Sequence, residues 1–459
     1  MKSFTETVFL NSPGWIRNVV VSLYGLRLER IRYGGQYDKY FHAVMRQYRL
    51  SADEIRHNSD IKLQAIVKEA SESVPYYREI FNKNRIAAAD VKSVADLQKL
   101  PLLEKKTIRD RSLDLVNEKF DRKDLHCIHT TGTTSTPLKI YCNNATRQLN
   151  FAYFDRFLKQ VGFAHRGKRA TFWGRLVVHQ NQSKPPFWLF SYFQKNLLFS
   201  SYHINDRNAP FYVERLRKYK PDYIDAYPSS LFTLANSAKS LGLDLTNITH
   251  GITTSAETLF PEQRELIESM FGAPVFDQYG CAEMCVFVGQ CKERKYHINT
   301  DYGVVEFLQP DGTPAVPGEE AEIVCTGFIN RVMPLIRYRI GDWAILSDTP
   351  CKCGCNFPVV EKLLGRADDC ILTPDGKKIG RLSPVLKNFP VKEAQYIQQE
   401  NGSVTVLLVK DSGFSDKTGD SVIRELRKRL GNRIEIRLEY VNKIPRGSRG
   451  KLRSIISHM

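Results

Sequence analysis

Short apolar runs alternate with helix-like segments over residues 122–276, and this alternation constrains the fold more than any other feature of the sequence. Runs such as Leu125–His129 and Tyr223–Ala226 have the length of one buried strand each. Segments such as Pro210–Tyr219 and Ser229–Leu241 carry apolar residues at helical spacing between such runs. Strands that alternate with helices form parallel sheets covered by those helices. The sequence therefore predicts an α/β fold.

The length and the change of pattern along the chain indicate more than one domain. The chain has 459 residues, enough for two to four domains. Residues 1–100 are mainly helical in pattern, and residues 286–350 alternate polar and apolar side chains as antiparallel β structure does. A smaller unit with a strand, a helix and a strand follows. We therefore expect a large domain, 1–366, and a small α+β domain, 367–459.

The composition is that of a globular protein with a basic surface. Hydrophobic residues make up 42% and charged residues 25%, which excludes a disordered, collagenous or disulfide-dense chain. Lys and Arg number 67 against 50 Asp and Glu, a net charge of +17. These basic residues are spread along the chain, whereas nucleic-acid binders concentrate them in one motif, so we expect no nucleic-acid partner. The charge favours phosphorylated ligands or anionic surfaces.

The N-terminal segment Trp15–Ile31 combines apolar residues with several arginines. Such a basic amphipathic helix either packs against its own domain or makes a peripheral contact with a membrane. It has no secretory signal pattern, and no run approaches the roughly 18 uncharged residues of a spanning helix. We expect a cytoplasmic protein, for which a homodimer is also compatible with the sequence.

The ten cysteines are consistent with a reducing compartment. Most stand singly, as buried thiols do. Cys351, Cys353 and Cys355 are the exception, and their crowding points to metal chemistry rather than to disulfides.

A run of hydroxyl residues follows the first apolar run, at Thr130–Thr136. Hydroxyls and backbone N–H groups around Gly132 can wrap phosphate oxygens. The same composition also occurs in ordinary solvated turns, and the glycine–lysine spacing of a Walker loop is absent.

Four further motifs follow in order: Asp277–Glu283, Arg337–Asp342, Gly365–Asp369 and Pro445–Lys451. With the hydroxyl run, they resemble the five signature motifs of the acyl- and aryl-adenylate-forming superfamily. The chain is most similar to its phenylacetate-CoA ligase branch, including relatives from capsular polysaccharide biosynthesis. The resemblance covers essentially the whole chain.

The resemblance implies an ATP site made of several loops. The hydroxyl run would hold the β- and γ-phosphates, Tyr279 would stack on adenine, Asp342 would accept hydrogen bonds from the ribose, and Arg366 would meet ribose or phosphate oxygens. Alternatively, Asp342 would only cap a turn and have no ligand. The implied nucleotide-binding residues are Thr130, Thr131, Gly132, Thr133, Thr134, Ser255, Ala256, Glu257, Tyr279, Gly280, Asp342 and Arg366.

The resemblance also implies the catalytic groups. Glu283 would hold Mg²⁺ against the phosphates, because a hard cation prefers a carboxylate. Lys451 would neutralise charge at the α-phosphate during attack by the carboxylate, with Thr133 as a third catalytic residue. A solvated surface charge is the alternative for Lys451. The small domain would be a mobile lid with its hinge near 365–369, pivoting at Asp368.

The resemblance also implies a role for the cysteine cluster. In relatives of this branch, a Cys and a His after the carboxylate turn bind zinc together with a later Cys-x-Cys pair. The implied ligands are Cys291, His297, Cys351 and Cys353, a closed set typical of structural zinc. Cys355 competes with Cys351 or Cys353 for a place in this set. Reduced buried thiols without metal are the alternative.

The leading functional hypothesis is an enzyme that activates a small carboxylate with ATP and Mg²⁺ and transfers it to coenzyme A. The alternative keeps the adenylate but transfers the acyl group to an amine or hydroxyl, such as that of a sugar in polysaccharide biosynthesis. A remote third hypothesis is a zinc-containing nucleic-acid-binding protein. The residues around Cys351–Cys355 are not the basic and aromatic ones it would need.

Overall fold

The computed structural model describes residues 4–130, 137–164, 166–174, 176–179, 181–366, 371–375, 378–379, 382–386, 389–411, 413–446 and 452–459. Helices dominate its first part. The α-helices in the described residues are α1 (Phe4–Asn11), α2 (Gly14–Tyr33), α3 (Tyr37–Gln47), α4 (Ala52–Ser73), α5 (Pro75–Asn84), α6 (Lys105–Asp110), α7 (Asn144–Gln160), α8 (Ala209–Tyr219), α9 (Pro228–Ser240), α10 (Pro261–Phe271) and α11 (Asp416–Leu430).

Local sequence explains where several of these helices begin and end. Ser51 caps α4, accepting from the Glu54 N–H while the Glu54 carboxylate accepts from the Ser51 N–H. A proline at the first helical position starts α5, α9 and α10, where the missing N–H costs nothing. Gly272 ends α10 with a φ of 61°, a left-handed conformation that glycine adopts without strain.

Strands occupy most of the second half. They are β1 (His126–His129), β2 (Lys139–Cys142), β3 (Arg169–Phe172), β4 (Trp188–Ser191), β5 (Asn196–Phe199), β6 (Tyr223–Ala226), β7 (Ile252–Ser255), β8 (Val275–Gly280), β9 (Phe287–Gln290), β10 (Tyr296–Ile298), β11 (Gly303–Leu308), β12 (Glu320–Gly327), β13 (Tyr338–Ser347), β14 (Val359–Arg366), β15 (Ile371–Leu372), β16 (Lys378–Ile379), β17 (Val391–Gln398), β18 (Val404–Lys410), β19 (Ile436–Tyr440) and β20 (Ile455–Ser457).

Within the described residues, twelve strands form one continuous sheet. Its order is β11-β12-β13-β14-β10-β9-β8-β7-β6-β3-β5-β4. The strands from β5 through β3, β6 and β7 to β8 are parallel, and the remaining neighbours are antiparallel. The parallel part is fully buried in places, such as Tyr223–Ala226, because α8, α9 and α10 cover it. The predicted α/β class is confirmed.

One predicted strand has a different partner from the one its pattern indicated. The run at Leu125–His129 forms β1, but β1 pairs antiparallel with β2 in a separate two-stranded sheet. The hydroxyl run therefore belongs to the connection of a hairpin and does not follow a strand of the parallel sheet. The apolar pattern of a four-residue strand cannot identify its partner, because pairing depends on the connection that follows.

The C-terminal unit has its own sheet and core. The strands β19-β18-β17-β20 form a mixed four-stranded sheet, with β17 and β18 antiparallel. The helix α11 places Val422, Leu426 and Leu430 against this sheet, at helical spacing. The unit is therefore a small α+β layer structure beside the large sheet.

A buried arginine joins the helical first part to the large sheet. Arg156 on α7 is completely buried and makes a bidentate ion pair with Asp301, at 2.8 Å and 2.9 Å. The same guanidinium donates to the Val44 carbonyl of α3 at 2.9 Å and to the Asn299 side chain. Two helices and the turn between β10 and β11 thus meet at one side chain.

None of the described helices is both long enough and apolar enough to cross a lipid bilayer.

We predict that Asp301→Asn destabilises the large unit by about 3–5 kcal/mol, because it leaves a buried guanidinium without its counter-charge. Urea denaturation measures the change. The matched control is Asp244→Asn, which removes the exposed pair with Arg217 and is expected to cost about 1 kcal/mol or less. Equal losses in the two variants would contradict the role assigned to the buried pair.

Candidate functional site

Three residues from separate motifs converge at one end of the large sheet. Tyr279, at the end of β8, donates a hydrogen bond from its hydroxyl to Asp342 on β13 at 2.8 Å. Asp342 lies opposite Arg366 across the β13–β14 ladder, and its carboxylate is 3.7 Å from the Arg366 guanidinium. The sheet thus brings an aromatic ring, a carboxylate and a guanidinium together.

The protonation of this group follows from its surroundings. Burial, and then the Asp342 carboxylate, raise the pKa of Tyr279 well above its ordinary value. The phenol therefore remains a donor at neutral pH, and Asp342 remains an acceptor. Arg366 is partly exposed, so its guanidinium borders both the buried pair and solvent. The arrangement suits a ligand with an aromatic ring, hydroxyl donors and anionic oxygens.

Glu283 lies in the tight turn that follows β8. Its carboxylate is buried and accepts a hydrogen bond at 2.9 Å from the hydroxyl of Tyr338, which belongs to the same strand as Asp342. Met284 has a φ of 57°, so the chain reverses sharply just after the carboxylate. Gly280, the last residue of β8, is exposed. The turn therefore places the Glu283 carboxylate against β13, the strand that also carries Asp342, the hydrogen-bond partner of Tyr279.

The loop Ser255–Glu257 follows β7, and its carboxylate joins two parts of the chain. One oxygen of Glu257 accepts from the Ser229 N–H at the start of α9, at 3.1 Å. The other accepts from the N–H of Leu452, at 2.8 Å, and Leu452 directly follows Lys451 in the sequence. Burial raises the pKa of Glu257, whereas these hydrogen bonds lower it. One side chain thus ties the C-terminal unit to the large sheet.

The predicted hinge begins beside the same loop. Gly365 has a φ of 81°, and a Cβ placed there would lie 3.2 Å from the hydroxyl oxygen of Thr258. The backbone conformation and the close approach both favour glycine at this position. The end of β14 therefore lies directly against the loop that carries Glu257.

Several predicted residues lie outside the described part of the chain. They are Thr131, Gly132, Thr133, Thr134, Asp368 and Lys451. Thr130, the residue before this gap, is buried, and its hydroxyl oxygen and N–H both bond to Leu138 across the β1–β2 hairpin. Thr130 thus belongs to the β1–β2 hairpin, whereas Tyr279 and Glu283 belong to β8 and the turn that follows it.

Sequence reasoning missed the side chains that hold the C-terminal unit against the large unit. Glu393 on β17 forms a 2.6 Å ion pair with Arg446, and the same carboxylate oxygen accepts from the Thr233 hydroxyl of α9 at 2.8 Å. Lys392 lies 2.8 Å from Asp206. Of these residues, only Arg446 could have been found from the sequence, because it lies in the Pro445–Lys451 motif. The others match no motif.

A polar cleft lies between the two units. Its volume is about 610 Å³, and it is lined on one side by the segment before α8 and by α9, and on the other by residues of β17 and β18 and of the end of β19 and the segment after it. Amide and hydroxyl side chains such as Asn205, Asn236 and Asn442 line it, together with the basic residues Arg207 and Lys443. The size is that of a small-molecule site.

The four predicted zinc ligands meet in space. The ligand atoms of Cys291, His297, Cys351 and Cys353 lie within 4.8 Å of one another. The Cys291 and Cys351 sulfurs are 3.6 Å apart, and His297 Nε2 is 3.4 Å from the Cys353 sulfur. Three sulfurs and one imidazole are the donor set of a closed tetrahedral zinc site.

The orientation of His297 also suits a ligand. Its Nδ1–H donates to the Phe357 carbonyl at 3.0 Å, which leaves the Nε2 lone pair facing the sulfurs. Burial lowers the pKa of His297, so its imidazole is neutral, and burial raises the pKa of the Cys291 and Cys353 thiols. A metal would therefore displace thiol protons when it binds.

Cys355 does not belong to this group. Its side chain is buried in a small apolar cluster with Ile55 and Phe357, and partly buried neighbours such as Tyr48 and Leu50 pack around them. Of these two cysteines, Cys353 is therefore the one whose sulfur lies among the ligand atoms of Cys291, His297 and Cys351.

This chain is similar to several known proteins. The profile of the CapK C-terminal domain family matches residues 371–458. The protein CapK of Staphylococcus aureus is 28% identical, and the alignment covers 98% of this chain and 99% of that protein. A phenylacetate-coenzyme A ligase of Aromatoleum evansii is 26% identical over 70% of this chain and 72% of that protein.

A solved structure shows the same fold. The crystal structure of 2-hydroxyisobutyryl-CoA ligase, in its postadenylation state with the adenylate R3-HIB-AMP, superimposes with a TM-score of 0.73. The superposition covers 90% of this chain and 91% of that chain, at 18% identity. With its ordered motifs, its fold and a relative that aligns along nearly its whole length, the chain is similar to the adenylate-forming superfamily, and within it to CapK and the phenylacetate-coenzyme A ligases.

Proposed function

We propose that the protein is an AMP-forming ligase that activates a small carboxylate with ATP and transfers the acyl group to coenzyme A. The observation that carries the proposal is the group Tyr279, Asp342 and Arg366, in which a hydrogen bond and an ion pair bring together a ring, a ribose acceptor and a cation. Relatives named as coenzyme A ligases support the acceptor.

The reaction has two balanced steps. In the first, a carboxylate oxygen of the substrate attacks the α-phosphorus of ATP, and the bond to the β-phosphate oxygen breaks to release pyrophosphate. In the second, the thiol of coenzyme A loses its proton and attacks the acyl carbonyl carbon, and AMP leaves. Both steps develop negative charge on oxygen, which preorganised donors and cations stabilise.

The residues divide the work between binding and charge stabilisation. Tyr279 and Gly280 would lie along the adenine, Asp342 would accept from the ribose hydroxyls, and Ser255 and Ala256 would border the base. Glu283 would hold Mg²⁺, whose chemistry is to neutralise phosphate charge. The buried carboxylate of Glu283, positioned by Tyr338, fits that requirement.

A residue near the C-terminus would neutralise the negative charge at the α-phosphate. Lys451 would supply the cation there, and the hydroxyl run with Thr130, Thr131, Gly132, Thr133 and Thr134 would hold the leaving pyrophosphate. Thr133 would donate to its oxygens.

We further propose that residues 1–366 and 367–459 act as two domains, with a pivot at Asp368. The supporting observation is the nature of the contacts between them: single hydrogen bonds and ion pairs, such as Lys392–Asp206 and Leu452–Glu257. Polar contacts of this kind can separate in water at low cost. A lid of this type would adenylate in one orientation and transfer in another.

The Cys291–His297–Cys351–Cys353 cluster would hold a structural zinc ion. Its four donors leave no coordination position for water, so the ion would stabilise the β10–β14 region without taking part in the chemistry. The free thiols of the described chain suit a reducing compartment such as the cytoplasm.

A second candidate function is transfer to an amine or hydroxyl acceptor such as a sugar. The polar cleft favours it, because side chains such as Asn205 and Asn236 suit a ligand with many hydroxyl groups. The full-length similarity to CapK is compatible with it, while the ligase relatives favour coenzyme A.

The test is pyrophosphate exchange over a panel of aliphatic and aromatic carboxylates, followed by product analysis with coenzyme A or an amino sugar. We predict that Lys451→Ala lowers exchange about 10²–10³-fold, because it removes a preorganised cation. Transfer from a supplied adenylate should be nearly unchanged. Lys417→Ala, in the first turn of α11, is the control.

Carboxylate-independent ATP use, or exchange in Lys451→Ala equal to wild type, would reject the proposed function. Product formed only with the amino sugar would reject coenzyme A and support the second candidate.

We predict that Glu257→Gln lowers pyrophosphate exchange about tenfold or more while leaving transfer from a supplied adenylate largely intact. The Ser229 and Leu452 N–H groups bond to different carboxylate oxygens, and in the amide one of these positions becomes an NH2 donor that cannot accept. One hydrogen bond to a charged group is therefore lost, which is worth about 1.5–3 kcal/mol. The control is Lys392→Met, which removes a different contact between the units. Equal losses in both half-reactions would show a general structural role.

We predict about one zinc ion per chain, measured by elemental analysis of protein purified without chelators. Cys353→Ser should lower zinc content and melting temperature together, because metal-binding free energy contributes to folding. Cys355→Ser, the neighbouring control, should retain zinc. Absence of metal from the wild-type protein, or zinc loss in the Cys355 variant alone, would contradict the ligand set.

A further inference from the structure

The outer face of α2 is apolar, although it is exposed. Trp15 is 70% exposed and Leu23 is 59% exposed. In this helix, which the structure describes in full, the exposed residues are Trp15, Val19, Val20, Leu23, Tyr24, Arg27 and Arg30. None of them is acidic. A helix on the surface of a globular protein normally exposes polar residues to solvent, whereas α2 exposes mainly apolar ones.

A second element extends the same surface. Tyr192 is 71% exposed and Phe193 is 45% exposed, in the turn between β4 and β5. The Tyr192 N–H donates to the Ser22 hydroxyl of α2 at 3.0 Å, so the turn lies directly beside the helix. The contact is close, because a Cβ on Gly25 would lie 2.4 Å from the Ser191 hydroxyl oxygen. The exposed side chains of α2 and of this turn, here called the α2 surface, form one apolar patch.

The α2 surface also has basic groups suited to anions. Arg27 and Arg30 continue the exposed face beyond Leu23. Arg17 is 7% exposed, and its Nε and Nη1 atoms have no hydrogen-bond partner. At helical spacing, Arg17 lies on the same side as Val20 and Tyr24. An unpaired buried guanidinium is costly, and an anion from outside the chain would satisfy it.

The acidic residue of α2 does not cancel this charge. Glu29 is turned inward, with its carboxylate 3.7 Å from the Arg166 guanidinium. The whole chain carries a net charge of +17, so a second copy would be repelled from a basic patch, whereas an anionic surface would be attracted.

We propose that the α2 surface docks the protein on anionic lipid membranes. Trp15, Leu23 and Tyr192 would enter the boundary between head groups and acyl chains, where Trp and Tyr are favoured. Arg27 and Arg30 would keep their guanidinium groups at the lipid phosphates while their stems lie along the apolar region. The helix would lie in the plane of the interface. The proposal is independent of the reaction assigned to the protein.

The test is co-sedimentation of the full chain with phosphatidylcholine vesicles, with and without phosphatidylglycerol, at low and high salt. We expect binding only to the anionic vesicles, and weaker binding at high salt. Trp15→Ser with Leu23→Ser should weaken binding at least about tenfold by removing inserted apolar area. Arg27→Gln with Arg30→Gln should weaken it and reduce its dependence on salt.

The control is Leu241→Ser with Val316→Ser, which removes exposed apolar side chains from other surfaces and should bind as wild type. Melting temperatures and pyrophosphate exchange verify that each variant is folded. Binding unaffected by the α2 changes, or equal binding to neutral vesicles, would overturn the proposal. So would a dimer in light scattering that the Trp15 and Leu23 changes dissociate, because the α2 surface would then be a protein interface.

Discussion

The buried ion pair between Arg156 and Asp301 is the interaction on which the rest of the structure depends. A guanidinium removed from water is tolerated when its charge is paired, and here Asp301 pairs the charge while Asp301, the Val44 carbonyl and the Asn299 side chain accept from the two Nη groups. Because these partners come from distant parts of the chain, the pair fixes α3 and α7 against the turn that follows β10. The helical first part and the large sheet therefore take one relative position.

This pair lies next to the cysteine–histidine cluster. The Arg156 guanidinium is 5.1 Å from the centre of the Phe357 ring, and the Phe357 carbonyl accepts the His297 Nδ1–H. One residue thus connects the buried charge to the orientation of a candidate zinc ligand. On its other side β14 pairs with β13, which carries Asp342, so the candidate zinc ligand His297 on β10 and the candidate ribose acceptor Asp342 on β13 belong to the same sheet.

The contacts of the C-terminal unit are of another kind. Inside each unit, packing is apolar and extensive, whereas between the units Glu257, Glu393 and Asp206 accept single hydrogen bonds or ion pairs. Contacts that compete with water can be broken and remade, which the lid movement proposed above would require. Glu257 has a special place among them, because its other oxygen is held by the start of α9 and so remains aimed at the C-terminal chain.

Much of the fold and of the site could be predicted from the sequence. Periodicity located strands such as β6 and helices such as α9 to within two residues, because burial of a strand and of a helix face imposes different spacings. The order of the five motifs predicted the family, and the types of residue at Tyr279, Asp342 and the cysteines predicted which ligands they suit. These properties are local, so they are readable without coordinates.

The tertiary structure alone decided how these residues are combined. The sequence predicts that β1 is a strand, but its pairing with β2 in a hairpin is visible only in the structure. Cys353 and Cys355 are chemically identical and two residues apart, yet the Cys353 sulfur lies among the other candidate ligand atoms, whereas Cys355 is buried with Ile55 and Phe357. Likewise, the hydrogen bond between Glu257 and the Leu452 N–H and the exposure of the apolar α2 face are visible only in the structure. Long-range packing determines which surfaces meet. Sequence patterns specify which groups are present and how they repeat, whereas distances between remote segments arise only when the chain closes on itself.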